Sequence, residues 1–309
     1  METPLQAARS PTARRVSILT NPKAGSRPRE AEIAALGELL KAEGCEPAVI
    51  GNLEELRELS LRWHAAGELR ALVAAGGDGT LSLAANIAPP GTPLTVLPLG
   101  TENLLARYFR IRPNPAEVCQ TVLHGQSTLL DAGLANGRLF LLMAGVGFDA
   151  DVVRRMHARR RGNIQRLSYC KPVWEAIRNY QYPEVRIYCS GLPGGEVQVP
   201  LVARWAFVAN LPCYAAGLRI VPEAIGNDGQ FDVRAFSGGS VWKLLQYLAL
   251  VAVGRPAWFG SSQYARGTRI RIVSEAEVPY QLDGDPGGFL PLEIEVLPQR
   301  VTLLLPVAP

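Results

Sequence analysis

The feature that most constrains this chain is a glycine-rich segment, Gly76-Gly77-Asp78-Gly79-Thr80, set between two regular elements. It directly follows Leu69–Ala75, an apolar run interrupted only by Arg70 and typical of a strand buried on both faces of a sheet. The next run, Leu81–Ile87, has the pattern of a helix. A strand, a short loop and a helix in this order predict a crossover unit of an α/β domain, with the loop at the carboxyl edge of a parallel sheet.

The same alternation runs through the first 130 residues. Short β-rich runs occur at Val16–Asn21, Pro47–Ile50 and Leu94–Leu99. Helical patterns lie between them, at Arg29–Gly44 and around Leu56–Trp63. We therefore expect an α/β domain with a parallel sheet over residues 15–130, preceded by a disordered basic tail over 1–14.

The pattern changes after residue 130, where β-rich runs are separated by Gly, Pro and Asp turns. Only two helices are predicted there, around Tyr169–Asn179 and Ser240–Val253. We expect a second, mainly antiparallel β-sandwich-like domain over residues 131–297. The predicted strands are Leu139–Met143, Val185–Cys189, Val197–Asn210, Phe231–Phe236, Arg269–Val273 and Leu292–Leu305.

The chemistry of the glycine-rich loop suits a phosphate. Glycines let backbone N–H groups face a phosphate with no side chain in between, and the following helix N-terminus adds partial positive charge. Asp78 can hold a magnesium ion through water, since magnesium prefers carboxylate and water oxygens. Two further loops, Asn21–Gly25 and Leu97–Asn103, follow other predicted strands at the same sheet edge. The dinucleotide fingerprint and the Walker A loop are both absent, which argues against a dehydrogenase and an ordinary NTPase.

The positive charge is concentrated in one segment. The chain has a net charge of +4, and Arg154–Lys171 contains six arginines and a lysine without an acid. A local basic patch indicates an anionic partner such as a phosphate or a membrane surface, rather than a nucleic acid. There is no apolar run long enough for a membrane span, no secretory signal, and no paired cysteine motif, which together favour a cytoplasmic setting.

Four motifs in order resemble the diacylglycerol kinase catalytic domain superfamily, which includes bacterial diacylglycerol and lipid kinases, sphingosine kinases and ceramide kinases. They are NPKAG (21–25), GGDGT (76–80), LPLGTENLLAR (97–107) and LDGDP (282–286). The resemblance implies an ATP-binding α/β domain and a β-rich lipid-substrate domain of the NAD kinase/diacylglycerol kinase type. It also implies that the last strand, about 298–306, returns to the first domain.

The resemblance further implies particular site residues. ATP would be contacted by Asn21, Gly76, Gly77, Asp78, Gly79, Thr80 and Thr101. A family magnesium site matches the turn 225–230, where the Asp228 side chain and the carbonyls of Ile225 and Gln230 would bind the metal. Judged by its residues alone, an Asn-Asp-Gly sequence at this position is an ordinary turn.

The chain departs from the family pattern at several positions. Ser82 and Leu83 replace an Asn-Glu pair, Leu104 replaces an Asp, and the distal DGE is Asp283-Gly284-Asp285. A threonine expected after the second strand has no counterpart, because Gly51 and Asn52 lie there. We predict Asp285 as the general base that accepts a proton from a lipid hydroxyl, and Asp78 as the carboxylate that organises magnesium. His64, His124 and His157 do not cluster in the sequence and receive no role.

The resulting hypothesis is an ATP-dependent kinase acting on a lipid hydroxyl of the diacylglycerol or sphingoid type, peripheral at the inner membrane face. ATP and Mg²⁺ are the expected cofactors, the lipid and an anionic membrane surface the expected partners, and a homodimer is left open. Two alternatives stay open: a GGDGT kinase with a soluble acceptor such as NAD, and a catalytically weakened nucleotide- or lipid-binding protein. The basic segment 154–171 would bind an anionic lipid or phosphate, or else would be a solvated loop. The predicted helix over 241–253 is expected to pack in the core rather than to anchor the protein in a membrane.

Overall fold

The computed structural model describes residues 13–20, 30–158, 175, 178–192, 199–214, 217–252, 260 and 262–307. The chain divides into two compact units. Of the described residues, those up to 130 and those from 299 onward form unit 1, and those from 131 to 298 form unit 2. Residues 1–12 of the predicted tail, and Asn21 with its loop, lie outside the described residues.

Unit 1 contains a parallel sheet in the order β2-β1-β3-β4-β18. The strands are β1 (Arg15–Thr20), β2 (Glu46–Ile50), β3 (Leu69–Gly76), β4 (Pro93–Pro98) and the C-terminal part of β18 (Leu292–Leu305). Strand β3 lies in the middle of this order and is almost wholly buried, as its apolar run predicts. Strand β18 lies beside β4, with Thr302 opposite Pro93 and Leu303 opposite Leu94.

In the described part of unit 1, five helices connect the strands. They are α1 (Glu30–Ala42), α2 (Leu53–Ala65), α3 (Asp78–Ile87), α4 (Leu104–Tyr108) and α5 (Pro115–His124). Asn52 caps α2 and Asn114 caps α5, each accepting two backbone N–H groups at the first turn. Apolar residues of α1 and α5 pack on the sheet in one core that includes Leu36, Leu40 and Val118.

The described part of unit 2 is built mainly from two antiparallel sheets. One contains the N-terminal part of β18, β15 (Arg269–Val273), β8 (Val185–Ser190) and β9 (Leu201–Ala203), with β5 (Gln126–Ala135) and β6 (Arg138–Phe140) joined to it. The other has the order β14-β13-β10-β7-β16-β17. Its strands are β14 (Ser262–Gly267), β13 (Phe231–Phe236), β10 (Trp205–Ala209), β7 (Met143–Val146), β16 (Pro279–Leu282) and β17 (Asp285–Phe289).

The core of unit 2 lies between these sheets. Phe140, Ile187 and Ile272 come from the first sheet, and Val208 and Phe231 from the second, and all join one buried cluster. The unit also contains α6 (Phe148–Ala158), α7 (Val241–Ala252) and a two-stranded ribbon of β11 (Cys213–Tyr214) and β12 (Leu218–Arg219). The predicted fold class, a parallel α/β domain followed by an antiparallel sandwich, is therefore confirmed.

Two predicted strands are interrupted. The run Leu139–Met143 forms β6 and the start of β7, because the backbone N–H groups of Leu141, Leu142 and Met143 all donate to the Asp283 carboxylate. The run from Val197 breaks at Arg204, between β9 and β10, where the Arg204 N–H donates to the Phe236 carbonyl. The helix predicted around Tyr169–Asn179 lies largely outside the described residues.

Candidate active site

The GGDGT segment of unit 1 makes the turn from β3 into α3. Strand β3 ends at Gly76, Gly77 is the N-cap and α3 begins at Asp78, so the loop is a single residue long. A Cβ on Gly76 would overlap Thr80 Oγ1, because the buried Thr80 side chain packs directly on the Gly76 backbone. Thr80 thus shapes the turn with its side chain, and its backbone N–H donates to the Gly77 carbonyl at 3.0 Å.

The second predicted phosphate loop packs on the first through glycine. A Cβ on Gly100 would overlap the Cα of Gly77, so the two backbones touch where neither residue has a side chain. Asn103 fixes Gly100 on the other side: its Oδ1 accepts from Gly100 N at 2.9 Å and its Nδ2 donates to Gly100 O at 2.9 Å. Asn103 adopts φ 50°, a left-handed conformation that Asn tolerates better than most residues.

The Asp78 carboxylate connects these loops. Its Oδ2 accepts from the Leu104 N–H at 2.8 Å and its Oδ1 from the Leu105 N–H at 3.0 Å, so it caps helix α4 from 26 residues upstream. Burial raises the pKa of the Asp78 carboxyl, and the two N–H groups oppose that rise. Leu104 meets Asp78 through its backbone, so this contact does not depend on its side chain.

Thr101 is exposed in the Gly100–Asn103 loop, where its hydroxyl can reach a ligand. Gly79 is in the first turn of α3, at the helix end that attracts anions. The structure therefore brings Gly76, Gly77, Asp78, Gly79, Thr80 and Thr101 to one edge of the parallel sheet. Of the residues predicted to contact ATP, only Asn21 lies outside the described part of the chain.

In unit 2, the Asp-Gly-Asp sequence forms a tight turn between β16 and β17. Asp283 and Gly284 have φ of 52° and 86°, as the Asp-Gly sequence favours in a hairpin turn. The two acids have different surroundings. Asp283 accepts three backbone N–H groups, from Leu141 at 2.7 Å, Leu142 at 2.8 Å and Met143 at 3.1 Å, and so holds the β6–β7 connection.

Asp285, by contrast, faces two polar side chains and remains partly exposed. Its Oδ2 accepts from Arg138 Nη2 at 3.3 Å, and its Oδ1 lies 3.4 Å from His157 Nε2. Arg138 also donates to the Pro286 carbonyl at 3.2 Å, which ties the guanidinium to the same turn. About a third of the Asp285 side chain is exposed (33%). The carboxylate is thus oriented by its neighbours and open to a ligand.

A buried network supports the turn from behind. Gln281 accepts from Gly284 N at 2.7 Å and donates to Asp149 Oδ2 at 3.0 Å, and the Tyr214 hydroxyl donates to Asp149 Oδ1. A Cβ on Gly145 would lie 2.5 Å from Asp149 Oδ2, so only glycine leaves room there. Burial raises the pKa of Asp149, and the bonds from Tyr214 and Gln281 oppose the rise.

The sequence motifs assign no role to Arg138, Asp149 or His157. The start of the basic segment is helical, because Phe148–Ala158 forms α6. His157 and Asp285 are far apart in sequence, so only the tertiary fold brings them together. A usable signal existed for Asp149, because Gly145-Val146-Gly147-Phe148-Asp149 is another strand–glycine–helix transition with an acid at the helix start.

The basic segment is partly neutralised within α6. Arg154 Nη2 lies 2.8 Å from Asp151 Oδ1 and Arg155 Nε lies 2.5 Å from Asp151 Oδ2, so one buried carboxylate pairs with both guanidinium groups. Asp151 lies just before Arg154–Lys171, so the positive charge predicted for that segment does not include it. The remaining basic residues, Arg159 to Lys171, lie outside the described residues.

Family models match both parts of the chain. The diacylglycerol kinase catalytic domain matches residues 15–135, and the YegS C-terminal NAD kinase beta sandwich-like domain matches residues 143–305. The chain belongs to the diacylglycerol kinase catalytic domain superfamily. The resemblance identified from the sequence motifs is confirmed. The chain is therefore a lipid kinase.

Curated diacylglycerol kinases match nearly the whole length of the chain. The diacylglycerol kinase of Bacillus subtilis (strain 168) is 25% identical over 304 residues, covering 95% of this chain and 97% of the relative. A Staphylococcus aureus (strain MRSA252) diacylglycerol kinase is 26% identical over 301 residues, covering 95% and 93%. A crystal structure of a diacylglycerol kinase from Bacillus anthracis str. Sterne has a TM-score of 0.70 at 20% identity, covering 94% of this chain and 97% of that one, and supports the fold.

Proposed function

We propose that this kinase transfers the γ-phosphate of ATP to a hydroxyl group of a lipid of the diacylglycerol or sphingoid type. In this proposal the GGDGT and Gly100–Asn103 loops bind the nucleotide, and Asp285 is the general base. The family implies ATP and, usually, a divalent metal. The observation that carries the proposal is the division between the two acids of the hairpin turn: Asp283 is committed to backbone N–H groups, whereas Asp285 is oriented and partly exposed.

In the proposed reaction, the lipid hydroxyl oxygen attacks the γ-phosphorus and the bond to the β–γ bridging oxygen breaks, which releases ADP. Asp285 accepts the hydroxyl proton, a contribution of about a hundred- to ten-thousand-fold in such reactions. Arg138 and His157 hold the carboxylate in one orientation. Phosphoryl transfer depends mainly on positioning and charge neutralisation, which suits a site built from glycine loops and a fixed acid.

Magnesium would accompany the nucleotide and neutralise phosphate charge. Asp78 fits a water-mediated contact with it, because each carboxylate oxygen that accepts an N–H keeps a further acceptor site. Its first role is nevertheless to cap α4 and hold the second loop. Replacing Asp78 would therefore disturb the loops as well as the metal, and the Asp78→Ala variant is not a clean test of metal binding.

The test is transfer of label from ATP into a total lipid extract, with identification of the labelled product. The wild type should label a lipid, and Asp285→Asn should lower the rate about a hundredfold or more at unchanged ATP affinity. Glu295→Gln, an exposed acid on β18, is the matched control and should retain full activity. Full activity in Asp285→Asn would remove Asp285 from the mechanism.

NAD is included as an acceptor in the same assay, since the C-terminal match is to an NAD kinase beta sandwich-like domain. Labelling of NAD without labelling of lipid would overturn the lipid acceptor. ATP binding without transfer to any acceptor would favour a binding protein that has lost catalysis.

We also propose that the enzyme reaches its lipid at an anionic membrane surface. None of the helices in the described part of the chain has the length and hydrophobicity to cross a bilayer. Helix α7 buries Tyr247, as expected of a core helix, but leaves Trp242 77% exposed beside the exposed Lys243. Tryptophan favours the membrane–water interface and lysine favours anionic lipid.

Sedimentation with anionic vesicles tests this proposal. Binding should weaken as salt is added and should fall in Trp242→Ala. Val199→Ala removes an equally exposed apolar side chain (76%) and serves as the control. Salt-independent binding, or equal binding by Trp242→Ala and the wild type, would contradict the membrane role of this surface.

A further inference from the structure

The turn that matches the family magnesium site is held by three carboxylates and an arginine. Asp228 Oδ1 accepts from the Gln230 N–H at 3.1 Å, and Asp228 Oδ2 accepts from Arg266 Nη2. On the other side, Asp131 Oδ2 accepts from Gly229 N at 2.7 Å and the Asp131 N–H donates to Gly226 O at 2.7 Å. Both ends of the turn are therefore fixed by hydrogen bonds within the chain.

Arg266 bridges two of these carboxylates. It lies on β14 directly opposite Asp232 on β13, and its Nε is 3.2 Å from Asp232 Oδ1 while its Nη2 reaches Asp228. Asp232 is fully buried and also accepts from the Tyr264 hydroxyl. Because an arginine is charged at any physiological pH, a positive group lies between the Asp228 and Asp232 carboxylates.

A divalent cation at Asp228 would compete with Arg266. One oxygen of the Asp228 carboxylate accepts the Gln230 N–H and the other accepts from the Arg266 guanidinium. The cation would therefore have to displace that guanidinium or bind beside its positive charge.

We infer that Arg266 replaces the divalent metal at the 225–230 turn, so that an internal guanidinium supplies the positive charge that the family motif takes from magnesium. A guanidinium can form ion pairs with two carboxylates at once and needs no dehydration of a metal ion. The turn is then stable at any magnesium concentration, independently of the kinase reaction proposed above.

Thermal unfolding of the full chain without nucleotide tests this inference. The wild-type Tm should be the same in EDTA and in millimolar MgCl₂. Arg266→Ala should unfold several degrees lower in EDTA and recover part of that loss in MgCl₂, but not in NaCl of equal ionic strength. Arg269→Ala, which removes an exposed arginine paired with Glu295 on β18, is the matched control and should behave as the wild type.

Electron paramagnetic resonance of Mn²⁺ gives a second measurement on the folded wild type. Manganese bound by the wild type and lost in Asp228→Asn would overturn the inference, because the turn would then hold a metal despite Arg266. Wild-type stability of Arg266→Ala in EDTA would also overturn it, as would a loss that MgCl₂ does not relieve. If Arg266→Ala does not fold, the Mn²⁺ comparison of wild type and Asp228→Asn still decides.

Discussion

Two glycines set the distance between the loops of unit 1. The Cα of Gly77 and the backbone of Gly100 are so close that a methyl group on Gly100 would overlap that Cα and lie 2.7 Å from Asn103 Oδ1. The groups that this methyl would meet are the Gly77 backbone and the Asn103 side-chain amide. The amide makes two hydrogen bonds to Gly100 and cannot move without breaking them. The shape of the proposed nucleotide site thus depends on the absence of side chains.

Gly100→Ala should therefore destabilise the protein by about 1–3 kcal/mol, the usual cost of overpacking, and should weaken ATP binding. Chemical denaturation and calorimetric titration with ATP measure the two effects. Gly37→Ala in α1 is the control: a Cβ there has nothing within 4 Å, and alanine should stabilise the helix by about 0.5–1 kcal/mol. Unchanged ATP affinity in Gly100→Ala would show that the contact between Gly77 and Gly100 does not contribute to nucleotide binding.

Asp149 gives a prediction about pH. Because its pKa is raised by burial in the folded state, the folded form binds a proton more readily than the unfolded form. Its contribution to stability is therefore present at low pH and is lost as the pH rises from the ordinary Asp range through the folded pKa. The unfolding free energy of Asp149→Asn should therefore fall less over that pH range than that of the wild type. The fall that remains comes from Asp78 and Asp232, whose pKa values burial also raises.

Denaturation of both proteins across this pH range measures the difference. Glu295→Gln again provides the control, because it removes an exposed acid from the surface and should give the wild-type profile. Parallel profiles for Asp149→Asn and the wild type would show that Asp149 does not titrate differently in the two states.

At the scale of the element, the hairpin of β16 and β17 carries two acids with different roles in one turn. Asp283 holds the backbone of the β6–β7 connection, and Asp285 presents its carboxylate outward. The left-handed conformation of Asp283 suits Asp or Asn and disfavours most other residues. The two acids should therefore respond to substitution in opposite ways.

Asp283→Ala should lower the unfolding free energy by about 2–4 kcal/mol, because several backbone N–H groups lose a charged acceptor. Asp285→Asn should change it by less than about 1 kcal/mol, since its ion pairs are partly exposed, while turnover falls as predicted above. Denaturation curves and kinase assays on the same samples give both quantities. Equal stability losses in the two variants would contradict the division of roles.

The sequence predicts the elements of unit 1 well, because buried parallel strands are continuous apolar runs and helices repeat at their own period. It predicts unit 2 less completely. The break between β6 and β7 depends on Asp283, which lies about 140 residues further along the chain. The same limit applies to the site: Gly76–Thr80 is evident as a local motif, whereas the contacts of Arg138 and His157 with Asp285 arise only from folding.

At the scale of the whole molecule, β18 belongs to both units. Its N-terminal part pairs with β15 in unit 2, and its C-terminal part pairs with β4 in unit 1. Val301, Leu303 and Leu304 are buried there, and the Thr95 hydroxyl donates to the Leu304 carbonyl at 3.1 Å. The last strand is therefore part of the core of the first unit.

Leu303→Ala should cost about 2–5 kcal/mol of unfolding free energy, as for other large-to-small changes in a core. Val307→Ala, at an exposed position (53%) just beyond the strand, should change it by no more than about 0.5 kcal/mol. Urea denaturation with ATP binding as a second probe measures both variants. A Leu303→Ala protein as stable as the wild type would mean that unit 1 does not depend on this strand.

The shared strand also has a consequence for biosynthesis. Until residues 299–305 leave the ribosome, β4 lacks its neighbour on one side, and an open strand edge of this kind can pair with another chain. The unit that is translated first is thus the last to mature, and the nascent protein must keep that edge shielded while all of unit 2 is being made.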